Sequence, residues 1–194
     1  MDSVFLWAQI IGFVAMGINI LSWQIKNPRH IILSYVPANT LWAIQYLMLG
    51  APVGAMMNLC SAAKDGGLAF VKDKYVPFLI GSFLCVVWSV GFHFFQAWYD
   101  LLPMIAGTIL NLSLLQRNNR PLYARASLTA CVLWLVYNVI VGSWIGTLSA
   151  CLVMTSSIIG MARYEEWELG QCYKKFTPNL ARSLFVVPNF RTYP

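Results

Sequence analysis

Leu41-Trp42-Ala43-Ile44-Gln45-Tyr46-Leu47-Met48-Leu49-Gly50-Ala51-Pro52-Val53-Gly54 is the stretch on which the fold turns. Two apolar runs meet at a Gly-Ala-Pro turn, and neither the runs nor the turn holds a charged side chain. Gly and Pro punctuate a chain, and uncharged apolar runs on both sides of a turn suit lipid rather than water. The stretch returns 92 residues later as Leu133-Trp134, followed by Gly142 and Gly146 at the same spacing. The same ungapped shift pairs Asn19 with Asn111, Gln24 with Gln116, Asn27 with Asn119 and Ala38 with Ala130. That makes eight identities over the forty positions from Asn19 to Asn58.

The surroundings agree with a membrane setting. Of 194 residues, 59% are hydrophobic and 10% charged, with a mean hydropathy of +0.64. A soluble domain carries about 25% charged residues, so this chain cannot cover a water-facing surface. Charged and turn residues cut it into seven apolar pieces of spanning length, a span needing about 20 residues. They run from Val4 to Trp23, His30 to Leu49, Pro52 to Val71, Tyr75 to Ala97, Leu101 to Leu115, Leu122 to Val141 and Trp144 to Ala162. Pro28 and Pro121 precede the second and sixth pieces, where a missing N–H costs little. The first piece follows Asp2 rather than a basic leader and has no small-residue cleavage site, so it reads as a retained helix.

Cations fall on alternate connections: Lys26 and Arg29, then Lys72 and Lys74, then Arg117, Arg120 and Arg125, and finally Arg163, Lys174, Lys175, Arg182 and Arg191. The other connections hold no Lys or Arg, only Asp2, Asp100 and neutral turns. The positive-inside rule then places the N-terminus outside and the C-terminus in the cytoplasm. The net charge of +6 sits in these short clusters and forms no continuous patch for nucleic acid. Of the five cysteines, Cys60, Cys85, Cys131 and Cys151 lie in apolar pieces as small hydrophobes. Cys172 lies in the basic tail on the reducing side, and no disulfide framework is expected. The polar tail from Tyr164 to Pro194, with its short Leu184-Phe185-Val186-Val187 run, is too short to fold alone.

Two similar three-span units separated by one span share an orientation, because the odd linker restores direction. The expected fold is an all-α membrane protein of seven transmembrane helices, arranged as two parallel three-helix bundles joined by a linker helix. Its parts are a first bundle (1–74), a linker helix (75–98), a second bundle (99–163) and a cytoplasmic tail (164–194). This 3+1+3 order resembles the SWEET and PQ-loop transporter superfamily, whose halves are parallel repeats. A closer resemblance is to the bacterial inner-membrane proteins of the YgjV family. It is carried by Ala8-Gln9-Ile10-Ile11-Gly12, Leu101-Leu102-Pro103-Met104-Ile105-Ala106-Gly107-Thr108, and Tyr137-Asn138 with Gly142-Ser143-Trp144-Ile145-Gly146-Thr147. The Pro-Gln pair of PQ-loop proteins is missing, Gln24 and Gln116 alone remaining. Ser61 and Ser157 stand where the family pattern has asparagines.

No HExxH, GxSxG or phosphate loop is present. His30 and His93 have no acid or cysteine at ligand spacing and read as interfacial residues. The chain is expected to be no enzyme and to hold no metal or cofactor. In span three, Asn58, Ser61 and Asp65 share one helical face, with Lys64 beside them. At about 1.5 Å per residue, Lys64 lies about 18 Å from Pro52. Two readings stand: an ionisable group facing a cavity or partner, or a span ending at Gly66-Gly67 with Lys64 snorkelling inward. Trp42 and Trp134 lie inside spans two and six, away from the interfacial belts, and serve either packing or a shared central pocket. Gly50/Gly54 and Gly142/Gly146 read as small-xxx-small pairs for close helix packing.

The expected function is a small-solute transporter working by alternating access, its substrate a sugar or other small polar neutral molecule. Its candidate site gathers Trp42 and Trp134 as walls, Asn19, Asn111, Asn58 and Asn138 as amide partners, and Lys64 and Asp65 as a charge or gate. The alternative is a non-transporting scaffold or sensor of the bacterial inner membrane acting through its tail. Partners in either case are the lipid bilayer and, for the transporter, a small solute. Nucleic acid is not a partner, and assembly into a homo-oligomer stays open.

Overall fold

Turn residues and capping groups set where each helix begins. The computed structural model describes the backbone of residues 3–22, 24–116 and 120–176. Among these are seven α-helices: α1 (Ser3–Ser22), α2 (Pro28–Met48), α3 (Pro52–Leu68), α4 (Val76–His93), α5 (Leu101–Leu114), α6 (Arg120–Ile140) and α7 (Trp144–Phe176). Short 3₁₀ turns at Asp73–Tyr75 and Trp98–Asp100 lead into α4 and α5. Trp23, Arg117, Asn119, Arg182, Leu184–Val187 and Arg191 lie outside the described residues, as do the side chains of Arg163, Cys172, Lys174 and Lys175.

At the start of α2, Asn27 Oδ1 accepts the Arg29 N–H at 3.0 Å, and Pro28 occupies the first turn, where no N–H is required. Within α2, Pro37 removes one backbone bond from the helix interior. The 3₁₀ turn before α5 is held by Asp100, whose Oδ2 accepts the N–H groups of Gln96 and Ala97. That carboxylate is buried, so it serves as a cap rather than a free surface charge.

The 92-residue shift reappears in the backbone. α2 and α6 are both 21 residues long and begin and end in register. α3 and α7 start at Pro52 and Trp144, and α1 and α5 end at Ser22 and Leu114. Gly50 (φ 72°) and Gly142 (φ 73°) are the positive-φ residues among those described. Each closes a helix: Ala51 N–H bonds Tyr46 C=O, and Ser143 N–H bonds Asn138 C=O, both at 2.9 Å. This is the Schellman arrangement, which needs a left-handed residue after the helix. The first glycine of each small-xxx-small pair is therefore a turn residue, because its role is backbone conformation, not helix contact. Gly54 does serve packing: a Cβ there would meet the Tyr137 hydroxyl at 2.6 Å.

Three helical stretches are long and apolar enough to cross a membrane by length and composition: Ser3–Ser22, Asp73–His93 and Leu122–Ile140. Trp144–Ile159 is a shorter apolar stretch. α3 contains Lys64 and Asp65 within 17 residues, and α5 has only 14. Large apolar side chains point outward all round, among them Phe13 (61% exposed), Phe78 (78%) and Trp144 (70%). A water-soluble monomer does not present such a surface; lipid is its solvent.

α3 runs on through Gly66 and Gly67 to Leu68, so no loop begins at the two glycines. α7 continues past the apolar boundary at Ala162 to Phe176. Contacts divide the chain into two units, residues 1–157 and 158–194. The first holds α1 to α6 and the start of α7. The second holds the remainder of α7 and the residues after it.

Candidate functional site in the helix seams

Two layers of buried polar contact join the helices. One lies near the Gly50 and Gly142 turns. There Tyr46 donates its hydroxyl to Asn138 Oδ1 at 2.6 Å. Ala51, ahead of α3, offers no capping side chain, so the Gly54 N–H in the first turn is taken by the Tyr137 hydroxyl at 3.0 Å. Orphan N–H groups of a first turn need such partners, and this one comes from another helix. At α7 the equivalent N–H, Gly146, bonds its own Ser143 Oγ at 3.2 Å, which also accepts from Gln45 Nε2 at 3.1 Å. Gln9 completes the layer, donating to Gly142 C=O and accepting from Ile145 N–H.

Trp42 and Trp134 both meet this layer. Their rings lie 6.4 and 5.9 Å from that of Tyr46, and Trp134 meets Tyr137 edge-on at 5.8 Å. The tryptophans do come together, but the space between them is filled by the two tyrosines. Asn58 turns back on its own helix, donating to Gly54 C=O, and its amide does not join the others.

The second layer lies toward the opposite ends of the helices. Lys64 Nζ pairs with Asp65 Oδ1 at 3.1 Å and donates to Asn111 Oδ1 at 2.9 Å. It also stands 5.2 Å from the centre of the Phe83 ring. Asp65 Oδ2 in turn accepts from Asn39 Nδ2 at 3.0 Å. Lys64 is 9% exposed, so it is a buried member of an α2–α3–α4–α5 junction. Adjacent residues on a helix diverge by about 100°, yet the long lysine side chain folds back far enough to pair. Asn111 has both amide ends engaged, its Nδ2 donating to Gly107 C=O.

Asn19, the repeat partner of Asn111, is placed differently. Its Oδ1 is buried without a hydrogen-bond partner. It lines a cavity of about 180 Å³ together with Met16, Ile20, Tyr35, Ser149, Leu152 and Val153. Apart from Asn58, the site residues thus fall into three places: an aromatic seal with Trp42, Trp134 and Asn138, an ion-pair junction with Lys64, Asp65 and Asn111, and a cavity with Asn19. Among the described residues, no group of three His, Cys, Asp or Glu is gathered as a metal site.

The sequence pointed to neither Tyr46, Gln45 nor Asn39. Tyr46 is the 92-residue counterpart of Asn138, but the two are unlike residues and no identity marks the pair. Asn39 matches Cys131, and nothing in the repeat marks it.

Apolar helices with lipid-facing exteriors and polar contacts held inside define an integral membrane protein in contact with the bilayer. The chain belongs to the Imp-YgjV family of bacterial inner membrane proteins, whose family model matches residues 6–168. No curated protein and no solved structure matches it.

Proposed function

We propose that the chain is a small-solute permease of the inner membrane with seven spans, its two parallel three-helix bundles moving against each other around an enclosed site. In this reading residues 1–74 and 99–163 are the bundles, 75–98 the linker helix and 164–194 the cytoplasmic tail, with the N-terminus outside. Repeated helix ends and the matched Gly50 and Gly142 turns support the two-bundle arrangement.

The observation that carries the reading is the Tyr46–Asn138 hydrogen bond. The two residues are equivalent under the 92-residue shift, and equivalent positions touch only beside the axis that relates them. In this reading the axis meets a seal near the ends of α2 and α6, made of ring contacts and five hydrogen bonds between the two bundles. Opening it breaks those bonds and parts the tyrosine and tryptophan rings. Asn19, Lys64, Asp65 and Asn111 lie toward the other ends, where an alternating-access protein with its outer side closed holds its polar groups. Amides, hydroxyls and indoles outnumber charges, which favours a small neutral polar substrate, and no catalytic role is assigned.

A non-transporting scaffold or sensor is the second reading. It is favoured by the ring cluster of Trp42, Tyr46, Trp134 and Tyr137, which fills the expected pocket. Uptake of a panel of small metabolites by proteoliposomes separates the two. Transport predicts saturable entry of at least one neutral polar solute. Rates no higher than those of protein-free vesicles across the panel would remove the permease and leave the scaffold.

A further inference from the structure

The two repeats treat one seam differently, and the difference makes a site. Between α3 and α5, Met57 reaches so close to Gly107 that a Cβ there would meet its Cε at 2.5 Å, and Lys64 satisfies Asn111. At the corresponding positions on α7 stand Ser149 and Ser156. Ala15 replaces Gly107 and restores only one carbon. Ser156 is exposed and leaves Asn19 Oδ1 without the donor that Lys64 gives Asn111. The result is the cavity of about 180 Å³ bounded by α1, α2 and α7.

Three polar side chains line it, Asn19, Tyr35 and Ser149, and none of the side-chain hydrogen bonds found among the described residues involves them. A buried amide oxygen left unpaired costs about 1–3 kcal/mol, more so where water is scarce. The remaining lining is apolar, from Met16, Ile20, Leu152 and Val153.

We propose that this cavity binds a small neutral polyol or amide, donating a hydrogen bond to Asn19 and bonded by Tyr35 and Ser149. The ligand is neutral because no carboxylate lines the cavity, and an unpaired ammonium in such surroundings is strongly disfavoured. The ammonium of Lys64, by contrast, has Asp65. Size sets the scale: a cavity of about 150 Å³ holds benzene, so this half-open one of about 180 Å³ lines about six to eight heavy atoms. A three- or four-carbon polyol fits within it, whereas a hexose extends beyond the lining. The role of substrate site rests on the permease reading; binding itself does not.

The test is saturation-transfer NMR on the full chain in lipid nanodiscs, with erythritol and glucose as probes. Wild type should give an erythritol signal stronger than that for glucose. Ser149→Met, which installs the residue used at Met57, should reduce the erythritol signal at least about fivefold, as should Asn19→Leu. Should one variant fail to give a monodisperse protein, the other decides. No erythritol signal from wild type, or an equal signal from a folded variant, overturns the site. Uptake by proteoliposomes keeps the two claims apart. Erythritol binding without entry of any solute removes the permease and keeps the site. Uptake that survives Ser149→Met while binding also survives removes the site and keeps the permease.

Discussion

Replacing Lys64 by Met removes one ammonium from three partners: Asp65 at 3.1 Å, Asn111 at 2.9 Å and the Phe83 ring. What remains is a carboxylate held only by Asn39 and an amide oxygen with no donor. Deleting one member of a buried pair costs about 3–5 kcal/mol, whereas replacing both is often near neutral. Asp65 keeps 14% of its side-chain surface and one amide bond, which places Lys64→Met at the lower end, about 3 kcal/mol. Asp65→Leu, which strands the ammonium, should cost a similar amount. The double variant loses the charges together and leaves the amides of Asn39 and Asn111 unpaired, about 3 kcal/mol in total. The cycle should therefore show a coupling of about 3 kcal/mol, the upper end for neighbouring residues. Reversible unfolding of the four chains in mixed micelles measures it. Costs that add within about 0.5 kcal/mol would mean that both side chains reach water, and the buried junction would be refuted.

Three further outcomes are expected. Gly50→Ala and Gly142→Ala should each lower stability by about 1–2 kcal/mol, the cost of a left-handed L-residue, and by similar amounts in a thermal unfolding series; unequal losses would break the equivalence of the two turns. Tyr46→Phe leaves Asn138 Oδ1 without its donor and should cost about 1–3 kcal/mol, a negligible change showing that the seal does not depend on that bond. A membrane-impermeant maleimide should label Cys172 only after the cytoplasmic face is opened, and a Gln96→Cys residue from outside. Asp100 is the poorer probe because it is buried as a cap. Labelling of both from one side would exclude an odd number of spans.

Helix positions were legible because charge and turn chemistry interrupt the apolar runs sharply. Pro52 and Trp144 start α3 and α7 where expected. The end of α7 was not legible from hydropathy, since a helix need not stop where the lipid does. From Arg163 to Phe176 the chain holds no proline and one glycine, Gly170, so nothing local halts the backbone. Gly50 stands at small-xxx-small spacing to Gly54, although its position after the last apolar residue already marks a helix terminator. At the site, Lys64 and Asp65 stood out because charge in a span is rare. Their partners Asn39 and Phe83 are ordinary residues whose importance comes from proximity alone. Tyr137, which caps α3 from another helix, drew notice only as half of a family-like Tyr-Asn pair.

The unequal seams also bear on how a permease of this build would move. A seam closed by Met57 against Gly107 and by the bond from Lys64 to Asn111 resists separation, because opening it exposes an ion pair and a close-packed contact together. The seam between α1 and α7 has neither: it is held at one end by the two Gln9 bonds, and beyond them its serines leave a cavity and an unpaired amide. With two seams of unequal strength, motion concentrates in the weaker, and the stronger acts as the hinge. Paired cysteines joined by a short thiol crosslinker test this in proteoliposomes that transport. Linking Met16→Cys to Leu152→Cys, both lining the cavity, should cut uptake at least about tenfold, equivalent to about 1.4 kcal/mol on the barrier. Linking Met57→Cys to Gly107→Cys should leave uptake within about twofold of the unlinked protein, about 0.4 kcal/mol. The reverse pattern would place the hinge between α1 and α7, and the ion pair would then belong to the part that opens.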